Sequence, residues 1–454
     1  MPDATVVNVR IRSASSVIGS PVRTAAQSSS ASSSQAAIPD SEATPRPTRD
    51  SSSRSKTSIK DTSAHYSTSL FDDRPVFDRP SLPSASTRSS TSRQSSASKR
   101  STSPLKSMAT LGEAGVTYDD LDDGELLGEA GDALYQDLYE ITSMVGIYPA
   151  EICQDISNAI QRKHRIHDLY KNDKDSRSRE QLLFELSEIQ NIKRLSKRCS
   201  RDMEGEAEWN NAVHSTILRL ALGTDDPFVG WRYIPNAKID SRYLPLMSDG
   251  LTSSSKMIDY ALFIGDDQDV AQSTGGVNEQ DDPETSRNIR LDQPISMFIR
   301  QWSDSINHVS YTPLRYRPIL LGIETKTVER TEAEARMQLG IWIAAHIRRI
   351  WSLGGNLASS EADKLEQTIQ DMVFPLIYVQ SAKWSLMFAR PFFTDTPEGR
   401  SIKIVIYHDI SLGETSSIQG IYQLLQAFRV LRKWGNEVYR GWWGGILDIV
   451  SEGG

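Results

Sequence analysis

From about Tyr118 onward, apolar residues recur at three- and four-residue steps, and beyond residue 255 the pattern changes to short, nearly unbroken apolar runs. Leu134, Leu138, Ile141 and Val145 make the first helical stripe. A second segment covers residues 150–169, and a third, over 179–199, sets Leu182, Leu186, Ile189 and Ile192 on one side. Residues 203–222 form the next predicted helix, where Glu206, Trp209, Val213, Ile217 and Leu220 fall at offsets of one 3.6-residue face. Glu206 therefore shares the apolar side, whereas Glu208 lines up with Asn211 and Ser215 on a wetter one. Residues 256–264 and 318–326 read as buried strands, separated by an acidic surface insertion over 265–288. Thr331-Glu332-Ala333-Glu334 is a capping box opening a helix to about Leu353, stopped by Gly354-Gly355. Strands follow at 373–380, 384–389 and 402–408, then a helix over 417–439. Such an order of helices and strands predicts an α/β sandwich.

Before Lys106 the periodicity disappears. Thirty of the first 106 residues are Ser, too little apolar surface to offset chain entropy, so this stretch is expected to be a disordered tail. It holds 15 Lys and Arg against 8 Asp and Glu, while the rest of the chain holds 36 against 51. A basic tail on an acidic body suits nucleic-acid or protein partners, the latter through the tail, and any nucleic-acid contact on the body needs a local basic patch. Arg300, Arg315, Arg317, Arg348 and Arg349 offer one, although ordinary solvated charge explains them as well. Cys153 and Cys199 lie in different predicted helices without ligand or disulfide spacing, which points to a reducing compartment. No signal peptide is expected, and runs such as 318–323 are too short to span a bilayer. The expectation is an intracellular, nuclear protein with no membrane association.

Along the strand 318–326, side chains alternate, so Glu324 and Lys326 share a face and Thr325 takes the other. Asp259 sits among Met257, Ile258, Tyr260 and Ala261, where a carboxylate is costly unless paired or metal-bound. Two carboxylates and a lysine converging on one sheet edge match what metal-assisted phosphodiester hydrolysis requires: oxygen ligands for a hard cation and a cation to handle water. Asp259 pairing with Lys326 as a purely structural ion pair is the alternative. His214, His308, His346 and His408 lack ligand spacing and read as capping or core residues. Trp442 and Trp443 read equally as a core plug or a partner-binding pair.

Several ordered motifs go beyond this. Glu206-x-x-Trp209-Asn210-x-x-Val213-His214, Lys256-Met257-Ile258-Asp259-Tyr260, Gly322-Ile323-Glu324-Thr325-Lys326, Gln338-Leu339-Gly340-Ile341-Trp342 and the late stretch from Gly413 to Tyr422 together resemble the fungal PD-(D/E)xK nuclease-like family. Ile258 stands where that motif's proline would be. The resemblance implies a restriction-endonuclease-like mixed sheet flanked by helices over residues 201–445, preceded by a helical segment at 118–200 and the tail at 1–106. It implies that Asp259 and Glu324 ligate Mg²⁺ or Mn²⁺, that Lys326 serves the water, that Glu206 completes the acidic site, and that Gln338 orients the lysine or substrate. The implied activity is divalent-dependent cleavage of nucleic acid, DNA ahead of RNA. A catalytically silent nuclease-fold binding or scaffold protein is the alternative.

Overall fold

The computed structural model describes residues 104–121, 124–160, 166–223, 228–245, 257–265, 290–355, 357–397 and 399–452. Of the expected tail at 1–106, residues 1–103 lie outside these, as do Lys256 and the acidic insertion beyond Gly265, while Pro104–Lys106 belong to a helix instead.

Seven strands build one mixed sheet. They are β1 (Val116–Asp120), β4 (Val229–Tyr233), β5 (Tyr260–Ile264), β6 (Ile319–Lys326), β7 (Phe374–Gln380), β8 (Lys383–Thr396) and β9 (Gly399–Glu414), in the spatial order β1-β9-β8-β7-β6-β5-β4. The strands β2 (Tyr148–Pro149) and β3 (Lys171–Asn172) pair separately. Within the large sheet β6 runs parallel to β7 and antiparallel to β5. Every residue of β6 is buried, as its unbroken apolar run predicts for a central strand covered on both faces.

Helices cover both faces. The first group comprises α1 (Pro104–Glu113), α2 (Glu129–Thr142), α3 (Cys153–Ile160), α4 (Arg179–Arg201), α5 (Glu206–Trp209) and α6 (Ser215–Leu222). After these come α7 (Asp292–Trp302), α8 (Glu332–Trp351), α9 (Ser359–Gln370), α10 (Ile418–Trp434) and α11 (Arg440–Glu452). Helix α10 packs on α2, α4, α6 and β9, while α8 packs on α1, α9, β6 and β7. The result is the expected α/β architecture, a mixed sheet between helical layers. The stretch expected as a helical preface contributes β1 as well, which pairs in parallel with β9 and forms one sheet edge. Trp443 is fully buried and Trp442 Nε1 donates to Thr368 O (2.9 Å), so this pair is a core plug.

The predicted helix over 203–222 differs in one instructive respect. Residues Asn210–His214 form a π-turn between α5 and α6, with Ser215 N–H reaching back to Asn210 O. One extra residue per turn rotates everything downstream. Trp209, Val213 and Ile217 are buried as expected, but Leu218, Ala221 and Leu222 take the core positions while Leu220 is half-buried.

Two close approaches explain motif glycines. A Cβ on Gly413 would meet Gly420 O at 2.6 Å, and Gly413 has φ 140°, so the β9-to-α10 connection depends on both residues lacking side chains. On β6, a Cβ at Gly322 would stand 2.6 Å from Ile258 Cδ1 and 2.9 Å from Trp342 Nε1. Gly322→Ala is therefore expected to lower unfolding free energy by about 1–3 kcal/mol through overpacking. Urea titration of the variant checks this, and a midpoint equal to the parent's would refute it.

Candidate active site

The C-terminal end of β6 carries Glu324 and Lys326 on the face that Gly322 presents to α8. Their side chains meet directly: Lys326 Nζ donates to Glu324 Oε1, to Thr325 O (2.9 Å) and, more distantly, to Glu206 Oε2 (3.5 Å). Glu324 is 1% exposed and its Oε2 has no hydrogen-bond partner. Burial, reinforced by Asp259 and only partly offset by Lys326, pushes the Glu324 carboxyl up to about 8. Burial also pulls the Lys326 ammonium down, but Glu324, Glu206 and Asp259 around it more than reverse this, so it stays charged.

Asp259 enters from the neighbouring strand. Extending the register Tyr260↔Ile323 by one step brings it across from Glu324. Its backbone is pinned on both sides, its N–H donating to Ile323 O (3.1 Å) and its carbonyl accepting from Ile234 N (2.7 Å). Its carboxylate takes the place of the missing ladder partner: Oδ2 accepts from Thr325 N (2.9 Å) and from the Thr325 hydroxyl (2.8 Å). Burial raises the Asp259 carboxyl and the Thr325 hydrogen bonds oppose the rise.

On α5, Glu206 and Glu208 leave in different directions, but their side chains are about equally exposed (38% and 35%), so the expected contrast between an apolar and a wetter face is not seen. Glu206 approaches Lys326 with its side chain 38% exposed, at the rim of the site, whereas Glu208 pairs with Arg198. Burial raises the Glu206 carboxyl, with Lys326 pulling it back. Gln338 sits differently from its expected partner: its Nε2 donates to Met257 O (3.0 Å), clasping the segment that leads into Asp259. Among the described residues, no three His, Cys, Asp or Glu side chains form a metal cage.

Sequence reasoning missed the residues that hold the site. Asn210 Nδ2 donates to Asp259 Oδ1 (3.3 Å), while Asn210 Oδ1 lies 2.9 Å from the Thr325 hydroxyl and 2.8 Å from His214 Nδ1. The other His214 nitrogen lies 2.8 Å from Ser381 O, and Ser381 N–H donates to Lys326 O (2.7 Å). The π-turn places Asn210 and His214 in this chain, and Tyr260 OH donates to Asn210 O (2.8 Å) to hold it open. His214 is buried and its ring is pushed down to about 4 by that burial. Both residues stood in the first motif of the resemblance, which was the available signal.

The arginines considered as a basic patch mostly serve the fold. Arg349 is buried and donates to Ser305 O (2.6 Å), Arg348 donates to Leu244 O (3.2 Å), and Arg317 lies over the Phe263 ring (5.5 Å). His308 and His346 face each other in the core, with His346 also against Tyr439 OH (3.2 Å).

Among curated proteins and among solved structures, nothing matches the chain. A family model does: it spans residues 155–440, more than half of the chain, from α3 through every site residue to the start of α11. By that match the chain belongs to the PD-(D/E)XK nuclease superfamily.

Proposed function

We propose that the protein hydrolyses phosphodiester bonds of nucleic acid in a divalent-metal-dependent reaction, with Asp259 and Glu324 as ligands of Mg²⁺ or Mn²⁺. The observation that carries this reading is the buried Glu324–Lys326 pair across from Asp259, with Glu324 Oε2 left without a partner. An orphaned carboxylate oxygen in the core costs free energy that nothing in the packing returns, and a hard cation is the ligand such an oxygen takes. An all-oxygen donor pair fits Mg²⁺, which binds through one or two carboxylates and keeps several waters. Bound there, the ion would polarise the phosphate and lower the pKa of water.

The remaining roles fall to the chain's own groups. Lys326 Nζ is held by Glu324 and Thr325 O, and its third N–H, which reaches Glu206 only at 3.5 Å, can turn to a water or a phosphate oxygen. Glu206, half-exposed with a raised carboxyl, can take up or give back a proton at the rim. Thr325, Asn210 and His214 orient Asp259, and burial keeps bulk water from Glu324. Gln338 acts as a positioning residue through Met257 O. Gln338→Ala is expected to lower kcat several-fold with KM unchanged and stability altered by no more than ~1 kcal/mol. A rise in KM with kcat unchanged would instead put Gln338 on the substrate.

A catalytically silent binder is favoured by one feature: the Asp259 carboxylate already accepts hydrogen bonds from Thr325 and Asn210. The two readings part in a cleavage assay with single- and double-stranded DNA and RNA in Mg²⁺ or Mn²⁺. Metal-dependent products that vanish with Glu324→Gln support hydrolysis, and intact substrates under every condition rule it out.

A further inference from the structure

Between residues 190 and 201, α4 carries Lys193, Arg194, Lys197, Arg198 and Arg201 and no carboxylate, on a body where acidic residues outnumber basic ones. These five side chains and Ile418, at the start of α10, line an open groove of about 540 Å³. The first turn of α10 holds no acidic residue, so the positive end of its dipole adds to the same field. Among the described residues, Lys193 and Lys197 make no ion pair, and Arg194 donates only to Asn191 (2.6 Å). These three cations stand without counter-charges, whereas Arg198 pairs with Glu208 and Arg201 with Asp202 (2.7 Å) at the end of the row.

Their position relative to the acidic site is fixed by α5. Glu206 and Glu208 leave that helix about 200° apart, one toward Lys326 and the other onto Arg198. Ser196, on the buried side of α4, lies 2.8 Å from the Thr415 hydroxyl, and Thr415 N–H donates to Ala382 O (2.9 Å), next to the Ser381 that holds Lys326 O. The basic row and the candidate site therefore flank one helix, roughly 10 Å across with its side chains. At about 3.4 Å per nucleotide of strand, that separation spans roughly three nucleotides.

From this we infer that the C-terminal half of α4 is the track for the nucleic-acid backbone, gripping phosphates about three nucleotides from the bond presented at Lys326. This rests on the hydrolase reading for the position of that bond, but the grip itself does not require cleavage. Phosphate contacts of this kind give affinity without base readout, and each one shows in the salt dependence of binding.

The test uses the full chain and a fluorescein-labelled 20-mer, single-stranded and duplex, in EDTA, read by anisotropy across a salt series. Lys193→Ala/Arg194→Ala/Lys197→Ala should weaken binding roughly 10–100-fold at 0.1 M salt and flatten the log–log salt slope by about 2–3. Lys364→Ala/Lys403→Ala/Lys433→Ala removes the same charge from exposed positions elsewhere and should leave the slope near the parent's. Equal slopes for the two triple variants, or a parent that binds neither oligonucleotide, would overturn the track. So would polyglutamate competing as well as the oligonucleotide for the same residues, since the partner would then be an acidic protein segment. Cleavage of bis(p-nitrophenyl) phosphate with Mn²⁺, a substrate too small to reach α4, reads the site separately and should be unchanged in the α4 variant. A parent inactive on it refutes the hydrolase reading while the anisotropy result still decides the track.

Discussion

Saturating Mn²⁺ should raise the melting temperature of the parent protein, by roughly 5 °C at a hundred times Kd, which corresponds to about 2.7 kcal/mol of linkage. The reason lies in the charge balance of the site. Asp259, Glu324 and Glu206 surround one ammonium, and burial leaves Glu324 holding a proton near neutral pH. On the proposed reading, a divalent ion would replace that proton and fill the orphaned Oε2. Glu324→Gln is close to an isostere of the protonated carboxyl, so its metal-free melting point should stay near the parent's and its response to Mn²⁺ should be lost. Asp259→Asn should also lose the response, at a cost of about 1 kcal/mol, because an amide Nδ2 facing Asn210 Nδ2 disturbs that hydrogen bond. Lys326→Ala should keep the shift, since both proposed ligands remain, while cleavage falls by about 10²–10⁴ with the loss of a proton-handling group. A structural ion pair gives the opposite pattern: a parent indifferent to metal, and losses of roughly 3–5 kcal/mol when either partner is cut. Melting curves of the four proteins with and without Mn²⁺ separate the two.

The legibility of this molecule follows how local each signal is. Glu324 and Lys326 could be read from alternation along one strand, and every position of β6 is buried as that run implies. Glu206 and Glu208 both lie upstream of the π-turn and diverge there, one to Lys326 and the other to Arg198, but the wetter face expected for Glu208 is not seen, since the two are about equally exposed. Downstream of that turn the 3.6-residue wheel placed Leu220 where Leu218 and Ala221 belong, since no residue pattern announces an added residue in a helix. The edge strands β1 and β4 went unseen because each is five residues long and exposes its far end, so neither alternates cleanly. Helix α11 was hidden by Gly441, Gly444 and Gly445 within its span. The Asn210–His214–Ser381 support joins positions far apart in sequence, and such contacts exist only once the sheet has formed. Of the two contacts the resemblance implies for Gln338, with the lysine or with substrate, the first is replaced by a hydrogen bond to Met257 O.

Without metal, stability should peak near pH 6.5 and fall on both sides, for opposite reasons. Glu324 has a folded pKa of about 8 against an ordinary 4.5. A raised carboxyl means the native state binds the extra proton, so its contribution is complete below the unfolded value and is lost as pH rises through the folded one. From pH 6.5 to 8 that removes roughly 2 kcal/mol. Asp259 and Glu206 are shifted in the same direction. The buried histidines act the other way. His214 is pushed down to about 4 and His346 to about 3, both by burial, so between these values and 6.5 the unfolded chain binds the protons. Their contribution is present above pH 6.5 and is lost as pH falls, roughly 4 kcal/mol for the two by pH 5. Glu324 offsets about half of that, and His308, also held well below its ordinary value by burial, adds to the loss. Glu324→Gln removes one side only: its stability should rise by roughly 1 kcal/mol from pH 6.5 to 8, as the share of the three buried histidines completes, and fall about twice as steeply toward pH 5. Urea midpoints at pH 5, 6.5 and 8 for the two proteins in EDTA measure this. A parent whose midpoint climbs between pH 6.5 and 8 would mean that Glu324 is already ionised in the metal-free fold, and that the site holds its carboxylates apart by means other than a shared proton.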